Sequence, residues 1–257
     1  MAGIMIQIYE IQEPHEAELM VEKGVDRIGS VILSESQWKV PLVREAVRLV
    51  NTSDSKSSLI PLFSTPDSIY RVIDYYEPGI IHFCETIVRP DGTPDGCRKL
   101  LELQEGVNAR FPEVEILRSI PIPVDGFSGD FSFDEAMEIF EPLSDYFLTD
   151  TMMTGNADHE NEQPVKGFVG ITGKTCDWDI AADLVKASRI PVILAGGISP
   201  GNVYECIDKT RPFGVDSCTL TNVLDGKGRP VRFEKDPEKV TRFVEEVRRA
   251  ENDFYGG

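Results

Sequence analysis

The segment GITGKTCDW, residues 170–178, contains a Gly-Lys-Thr like that of a nucleotide-binding P-loop. A P-loop, GxxxxGK[ST], needs a further glycine ahead of its Gly-Lys pair, because the N–H groups of the loop must converge on the phosphates. Phe168 occupies that position. The segment is therefore either a chance match or an anion-binding loop of another kind.

The spacing of the cysteines and histidines does not indicate a metal site. The five cysteines form no C-x-x-C pair and are odd in number, as expected of reduced thiols in a cytosolic protein. His159, in NADHENEQ, stands among carboxylates as a metal ligand would, but a solvated acidic loop explains it more simply. Since no paired histidine or cysteine spacing indicates a metal site, the sequence predicts neither a metal nor a cofactor.

The 257 residues carry a net charge of −18, and no basic run interrupts this acidity. An acidic surface repels nucleic-acid phosphates and anionic lipids, so neither nucleic acid nor a membrane surface is an expected partner. The opening MAGIMIQIYEIQEP is apolar over too short a span for an anchor and lacks the basic start of a signal peptide. We therefore expect a soluble, cytoplasmic protein.

Short apolar runs alternate with longer helical patterns along the chain. The predicted strands cover residues 4–11, 26–33, 58–63, 79–84, 114–120, 145–150, 190–196 and 213–218. The predicted helices cover 16–24, 41–50, a segment that begins at Thr65, 95–111, 133–142, 177–188, 200–210 and 236–251. Eight strand-helix units in strict alternation predict a (β/α)8 TIM barrel, a single domain over residues 1–257, with a doubly wound open sheet as the alternative.

Two loops that follow predicted strands should lie at the mouth of such a barrel. They cover residues 123–130 and 151–167. Both are candidates for a lid over a ligand, and ordinary surface loops are the alternative.

Five segments follow one another as landmarks of a known enzyme family would. They are EAELMVEKGVDRIGSVI, FLTDT, GITGKTCDW, PVILAGGISPGNV and RPFGVD. In this order they resemble the segments of phosphoribosylanthranilate isomerase, a TIM-barrel enzyme of tryptophan synthesis, among them LLDT, GGTGKTFDW and PVILAGGLxPxNV. The resemblance runs from the first strand to the last, although residues 86–113 match poorly.

The resemblance implies a phosphate site at the barrel mouth. The expected phosphate-binding residues are Gly170, Gly173, Lys174, Gly196, Gly197, Cys218 and Thr219. Glycines suit this role because backbone N–H groups approach an anion closely only where side chains are absent. Lys174 can add positive charge, or it can be a solvated loop lysine. Where the family has Ser-Ser-Gly after strand eight, this chain has Cys218, Thr219 and Leu220, a change that weakens the prediction.

The same resemblance implies an Amadori rearrangement, which needs a general acid and a general base. Asp150, in FLTDT, matches the family's acid, and it needs a raised pKa, to which Asp216 on strand eight would contribute. Tyr9 stands where the family has its cysteine base and shares the inward strand face with Gln7. As a base Tyr9 would need a cationic neighbour, such as Arg118 or His82. A barrel-filling role is the alternative, and Glu10 should face outward unless the strand bulges.

The residues expected at the other end of the substrate depart from the family. Trp38 stands where an arginine pairs with the anthranilate carboxylate, and tryptophan can only stack or fill space. In strand four, His82, Phe83 and Cys84 replace Gln-Leu-His. The expected substrate-binding residues are Gln7, Trp38, His82, Cys84, Arg118 and Asp216. The sequence thus predicts a ligand that keeps a phosphorylated sugar and loses the anthranilate end.

Three functions fit this pattern. The first is a phosphoribosylanthranilate isomerase-like enzyme acting on a phosphorylated sugar or aminosugar, with Asp150 as the acid. The second is an aldolase, lyase or epimerase on the same phosphate-binding barrel, and the third is a non-catalytic binder of a phosphorylated ligand. The sequence leaves the choice between monomer and homodimer open.

Overall fold

The computed structural model describes residues 3–153, 166–170 and 172–255. The strands are β1 (Met5–Ile8), β2 (Arg27–Ile32), β3 (Lys56–Pro61), β4 (Ile80–Phe83), β5 (Glu115–Pro123), β6 (Tyr146–Met152), β7 (Val192–Leu194), β8 (Gly214–Ser217), β9 (Asn222–Leu224) and β10 (Pro230–Lys235). The α-helices are α1 (Pro14–Glu22), α2 (Pro41–Asn51), α3 (Pro66–Tyr76), α4 (Cys97–Arg110), α5 (Asp134–Phe140), α6 (Trp178–Ala187), α7 (Val203–Thr210) and α8 (Pro237–Tyr255).

Strands β1 to β8 form a closed parallel barrel in sequence order. The circle closes between β1 and β8, where Gln7 pairs with Asp216. The prediction of a (β/α)8 barrel is confirmed, and the open-sheet alternative is excluded. Within the described residues, no helix is both long and apolar enough to span a membrane.

Local signals explain where several helices begin. Proline at the first turn opens α1, α2 and α3, where its missing N–H costs nothing. Helix α6 begins after Asp177, whose carboxylate accepts hydrogen bonds from the N–H groups of Asp179 and Ile180. The TCDW of the opening segment is therefore a helix start at the barrel mouth.

The barrel has an inner and an outer apolar layer, as strand alternation requires. Met5, Ile80, Leu117, Leu148 and Ile193 fill the inside on the floor of the barrel. The outward positions pack against the helices in two larger clusters. This alternation decides which side chains point toward the mouth.

The sequence prediction missed the structure between β8 and α8. Between β8 and α8 the chain forms a short 3-10 helix, Thr219–Thr221, and an antiparallel hairpin made of β9 and β10. Strand β9 has only three residues, Asn-Val-Leu, which are too few for an apolar alternation to reveal the hairpin. The hairpin lies beside the start of the chain, since Lys235 N donates to the carboxylate of Glu16 in α1.

Candidate active site at the barrel mouth

A cavity lies inside the mouth of the barrel, and its sides differ in chemistry. One side is made of apolar side chains from β2, β3, the end of β4 and the loop after β6. We call this side the apolar wall: Val31, Ile60, Leu62, Cys84 and Val169. The opposite side consists largely of backbone.

That backbone side is the glycine rim: Gly173, Gly196, Gly197 and Thr219. Gly197 has φ +64°, and a Cβ there would lie 2.5 Å from the backbone of Lys174 and Thr175. Only glycine fits this position without strain, because it combines a left-handed conformation with a close backbone approach. The loops after β6, β7 and β8 are thereby held together around one concave surface.

The other predicted phosphate-binding residues lie nearby in different roles. Cys218 lines the cavity. Gly170, with φ +99°, packs against the Asp150 carboxylate, where a Cβ would meet Oδ2 at 2.2 Å. Lys174 is exposed and does not line the cavity; its backbone carbonyl accepts a hydrogen bond from Thr151 Oγ1 at 2.7 Å. The structure thus brings the predicted glycines together but places the lysine side chain outside.

Asp150 and Asp216 are two carboxyl groups that line the cavity. Burial raises the pKa of Asp150 from 3.8 to about 7, against a hydrogen bond from the N–H of Thr151 that lowers it. Burial also raises the pKa of Asp216 to about 7; the hydrogen bond that Gln7 Nε2 donates lowers it, and the charge of Asp150 adds to the rise. Near neutral pH this pair therefore holds a transferable proton.

Tyr9 lies across the inside of the barrel under the apolar wall. Its ring covers Gly29, where a Cβ would lie 2.0 Å from the ring. Its hydroxyl is 2.5 Å from Ser58 Oγ and 2.8 Å from His82 Nδ1, and His82 Nε2 is 2.8 Å from Ser119 Oγ. Tyr9, Ser58, His82 and Ser119 therefore form one buried polar network.

This network favours neutral groups. Burial raises the pKa of Tyr9 well above its ordinary value of 10. Burial, together with the charge of Arg118, lowers the pKa of His82 to about 3. His82 is therefore not the cation that Tyr9 would need to act as a base, and the geometry favours the barrel-filling alternative. Cys84 also lines the cavity as a neutral thiol, because burial raises its pKa well above 9.

Arg118 was predicted at the substrate, but the structure places it outside the barrel. It follows the inward Leu117 on β5 and therefore points to the helices. Its guanidinium donates to Glu85 Oε2 at 2.6 Å and to Gln104 Oε1 on α4 at 2.7 Å. The side chain is fully buried and does not line the cavity.

Trp38 also lies away from the cavity. It packs edge-on against Tyr75 of α3, with ring centroids 5.5 Å apart, and its carbonyl accepts the hydroxyl of Tyr76. The tryptophan fills space between β2 and α3 rather than stacking on a ligand at the mouth. Gln7 lies one layer below the mouth, where its Nε2 donates a hydrogen bond to Asp216 Oδ1 at 3.0 Å.

Glu10 lines the cavity, although strand alternation alone predicted that it faces outward. Strand β1 ends at Ile8, and Glu10 adopts a left-handed φ of +66°, which turns its fully buried side chain toward the cavity. For a non-glycine residue this conformation costs roughly 1–2 kcal/mol. Arg232 of β10 donates from Nε to Glu10 Oε1 at 2.6 Å. The sequence carried one signal of this, because Glu10 stands where the resembling family's first strand, Lys-Ile-Cys-Gly-Ile, has glycine.

The structure describes all of the first predicted lid loop but only the two ends of the second. The loop at 123–130 is tied to the loop after β6, since Asp125 N donates to Thr175 O at 2.9 Å. Most of the second loop, including His159, lies outside the described residues. Its last residue, Gly167, accepts a hydrogen bond from Thr86 N at 2.9 Å, shortly after the end of β4. Across the described residues, no group of three or more His, Cys, Asp or Glu forms a candidate metal site.

Comparison with known proteins agrees with this geometry. A family model described as N-(5′-phosphoribosyl)anthranilate (PRA) isomerase matches residues 132–246, which contain the glycine rim and both aspartates. An N-(5′-phosphoribosyl)anthranilate isomerase from Trichlorobacter lovleyi is 26% identical over 250 residues, covering 96% of this chain and 99% of that protein.

Solved structures of that kind share the fold. The isomerase from Pyrococcus furiosus is similar with a TM-score of 0.63 and 20% identity, covering 96% of this chain and 99% of that one. A second isomerase, in complex with reduced 1-(o-carboxyphenylamino)-1-deoxyribulose 5-phosphate, gives a TM-score of 0.63 and 18% identity over 95% and 98% of the two chains. Over nearly its whole length this chain is therefore similar to phosphoribosylanthranilate isomerases in sequence and in fold.

Proposed function

We propose that this protein is an intramolecular isomerase of the phosphoribosylanthranilate isomerase type that acts on a phosphorylated sugar or aminosugar. The observation that carries the proposal is the position of Asp150. Its carboxyl group, with a pKa raised to about 7 by burial, lines the same cavity as the glycine rim. A sugar whose phosphate lies on the rim would present its ring to this acid.

The glycine rim suits the phosphate end of such a ligand. Three loops meet there, and glycine at Gly196 and Gly197 leaves their backbone accessible from the cavity. Backbone dipoles can bind an anion without a cationic side chain, as in other phosphate-binding nests. This is the usual place of phosphate in barrels of this fold.

The reaction assigned to the site is a proton shift within the sugar. Asp150 donates its proton to the ring oxygen as the C1′–O bond breaks, and the lone pair of the C1′ nitrogen forms a C=N double bond. A base then removes the proton from C2′. The C–H electron pair forms a C1′=C2′ double bond, and the C=N pair returns to nitrogen. The resulting enolamine becomes a 1-deoxyketose by moving its hydroxyl proton to C1′.

The cavity supports a substrate that differs from phosphoribosylanthranilate. Its lining, within the described residues, contains no lysine or arginine, whereas Glu10, Asp150 and Asp216 contribute carboxyl groups. An anthranilate carboxylate against the apolar wall would lose water without gaining a counter-ion, which is unfavourable. The group attached to the sugar is therefore uncharged and at least partly apolar.

Exchange of a sugar C–H proton with deuterated solvent tests the function without knowledge of the product. The protein should exchange one carbon-bound proton in at least one member of a panel of aldose, ketose and N-substituted aminosugar phosphates. Asp150→Asn should reduce this exchange by about 10²–10⁴-fold, because asparagine keeps the shape but has no transferable proton. Asp183→Asn, on the exposed face of α6, is the matched control and should leave the rate unchanged.

A non-catalytic binder is the second candidate, favoured by the neutral state of Tyr9 and Cys84. It predicts phosphate-dependent ligand binding without proton exchange. Exchange that survives Asp150→Asn undiminished, or no exchange from the whole panel, would overturn the isomerase assignment and leave the binder.

A further inference from the structure

Glu10 combines two features that ordinary packing does not require. It is a fully buried carboxylate that lines the cavity, and its backbone is left-handed although it is not glycine. Three other described non-glycine residues share a positive φ: Glu77, Arg211 and Phe233. Glu77 and Arg211 end helices α3 and α7, where this conformation is common, and Phe233 lies in the hairpin. Strain of this kind at a cavity points to a role for the side chain.

The hairpin of β9 and β10 holds the Glu10 carboxylate from behind. Arg232 donates to Oε1, and Asn222 Nδ2 donates to Oε2 at 3.3 Å. Lys235, nearly buried, donates to Asn222 and to the Cys218 carbonyl and so fixes the base of the hairpin. Arg232 is not among the cavity-lining residues, so the carboxylate stands between the guanidinium and the ligand space.

Other titratable groups of the cavity suit proton removal less well. Burial raises the pKa of Tyr9, Cys84 and Cys218 well above their ordinary values, so none of the three is anionic near neutral pH. His82 has both ring nitrogens engaged, with Tyr9 and Ser119. Asp216 shares its environment with the acid Asp150, whose charge raises its pKa further.

We propose that Glu10 is the general base that removes the sugar C2′ proton, and that Arg232 is its positioning residue. The inference rests on the proposed isomerase function. The proton passes from C2′ to a Glu10 carboxylate oxygen, while the C–H pair forms the C1′=C2′ bond and the iminium nitrogen regains its lone pair. Asp150, across the cavity, supplies the proton for ring opening, so two separate carboxyl groups perform the two transfers.

Substitution of Glu10 tests the proposal with two complementary variants. Glu10→Gln keeps the length of the side chain and can still accept from Arg232, but it has no basic oxygen. Glu10→Gly removes the side chain and favours the local backbone, because glycine adopts φ +66° freely. Both variants should lose C2′ exchange by about 10²–10⁴-fold while they bind inorganic phosphate as the wild type does.

Added formate distinguishes a base from a structural anchor. In Glu10→Gly, formate can enter the vacated space and should partly restore exchange, whereas it should not help Glu10→Gln, whose space is filled. Glu77→Gly is the matched control, since Glu77 is exposed and also left-handed, with φ +52°. It should exchange at the wild-type rate with or without formate.

The positioning role of Arg232 is tested separately, through kcat and KM for exchange. Arg232→Met should lower kcat for exchange with little change in KM, and Arg232→Lys, which keeps a cation, should recover part of the loss. Arg229→Met, in the same hairpin but paired with Asp225 at the surface, should leave both constants unchanged. Equal losses in Arg232→Met and Arg232→Lys would overturn the positioning role.

The outcomes separate the two proposals. Wild-type exchange that persists in Glu10→Gly would overturn Glu10 as the base and leave the isomerase function standing. Absence of wild-type exchange from the whole substrate panel would overturn the isomerase function and this inference with it. Loss of exchange without any formate rescue, together with a loss of phosphate binding, would show that Glu10 is only an anchor of the hairpin.

Discussion

The glycine rim and the apolar wall face each other across one cavity, yet they are built on opposite principles. The rim presents backbone, so its shape depends on where glycine permits left-handed turns and close approaches. The wall presents side chains from β2, β3 and the end of β4, which can change without altering the barrel. The three glycines of the rim lie in segments that resemble the isomerase family, whereas Thr219 of the rim and Cys84 of the wall depart from the family pattern. We therefore expect the rim and the wall to affect different ends of a ligand.

The largest effect is expected at the rim. Gly197→Asp should reduce the affinity for inorganic phosphate by about 100-fold or more, because it adds a Cβ 2.5 Å from backbone atoms and a negative charge at the anion site. Titration calorimetry measures the change. Gly226→Asp is the control, since a Cβ at Gly226 meets nothing within 4 Å, and it should bind phosphate normally. Equal phosphate affinity in both variants would remove the rim from the account.

Truncation of the wall should affect only the other end of the ligand. Ile60→Ala removes three apolar carbon groups and should weaken binding of a phenylamino deoxyribulose phosphate by roughly tenfold or more, since each buried CH₂ is worth about 0.8 kcal/mol. The affinity for inorganic phosphate should not change. If both affinities fell together, the wall and the rim would not be separate regions.

The buried Asp150 should also lower the free energy of unfolding at high pH. Burial raises the folded-state pKa of Asp150 from 3.8 to about 7, so the folded protein binds this proton more tightly than the unfolded chain does. The resulting stabilisation is complete below about pH 4 and is lost as the pH rises through about 7.

Asparagine cannot ionise, so Asp150→Asn should unfold later in urea at pH 8. The gain should be at least about 1 kcal/mol, because one unit of pKa shift corresponds to about 1.4 kcal/mol. Near pH 3 the difference should largely disappear. Asp183→Asn serves as the exposed control, and the same gain in that variant would show that the effect does not come from burial.

The smallest effect on the ligand is expected from Trp38. Trp38→Ala should leave the affinity for both compounds unchanged, because the ring packs on Tyr75 outside the cavity. The variant should instead lower the urea midpoint through lost packing. Weaker binding of the phenylamino compound by this variant would indicate that Trp38 contacts the substrate after all.

Sequence periodicity was sufficient for the barrel, since eight strands and eight helices alternate with clear start signals such as Pro41 and Asp177. The rim glycines were predicted from the resemblance to the family, and the structure places Gly173, Gly196 and Gly197 around one cavity. Asp150 was predicted from the resemblance to the family's acid, and the structure places it within β6 with its side chain lining the cavity.

Side-chain direction and long-range pairing could not be predicted in the same way. Arg118 lies on the outward face of β5, where it donates to Gln104. A sequence alone does not fix the register of a strand, and an error of one residue assigns every side chain to the wrong face. Glu10 depends on a left-handed turn after β1 and on Arg232, more than 200 residues away along the chain. No periodicity in the sequence reports such a contact. The departures from the family pattern, at Tyr9, Glu10 and Trp38, were visible, but their placement required the structure.

One matched pair of ligands tests the central claim, that the wall rejects a carboxylate while the rim holds a phosphate. The compounds are reduced 1-(o-carboxyphenylamino)-1-deoxyribulose 5-phosphate and its phenylamino counterpart without the carboxyl group. Titration calorimetry at neutral pH should show the uncharged compound binding at least about tenfold more tightly, a difference of about 1.4 kcal/mol. Equal or tighter binding of the carboxyphenyl compound would contradict the account.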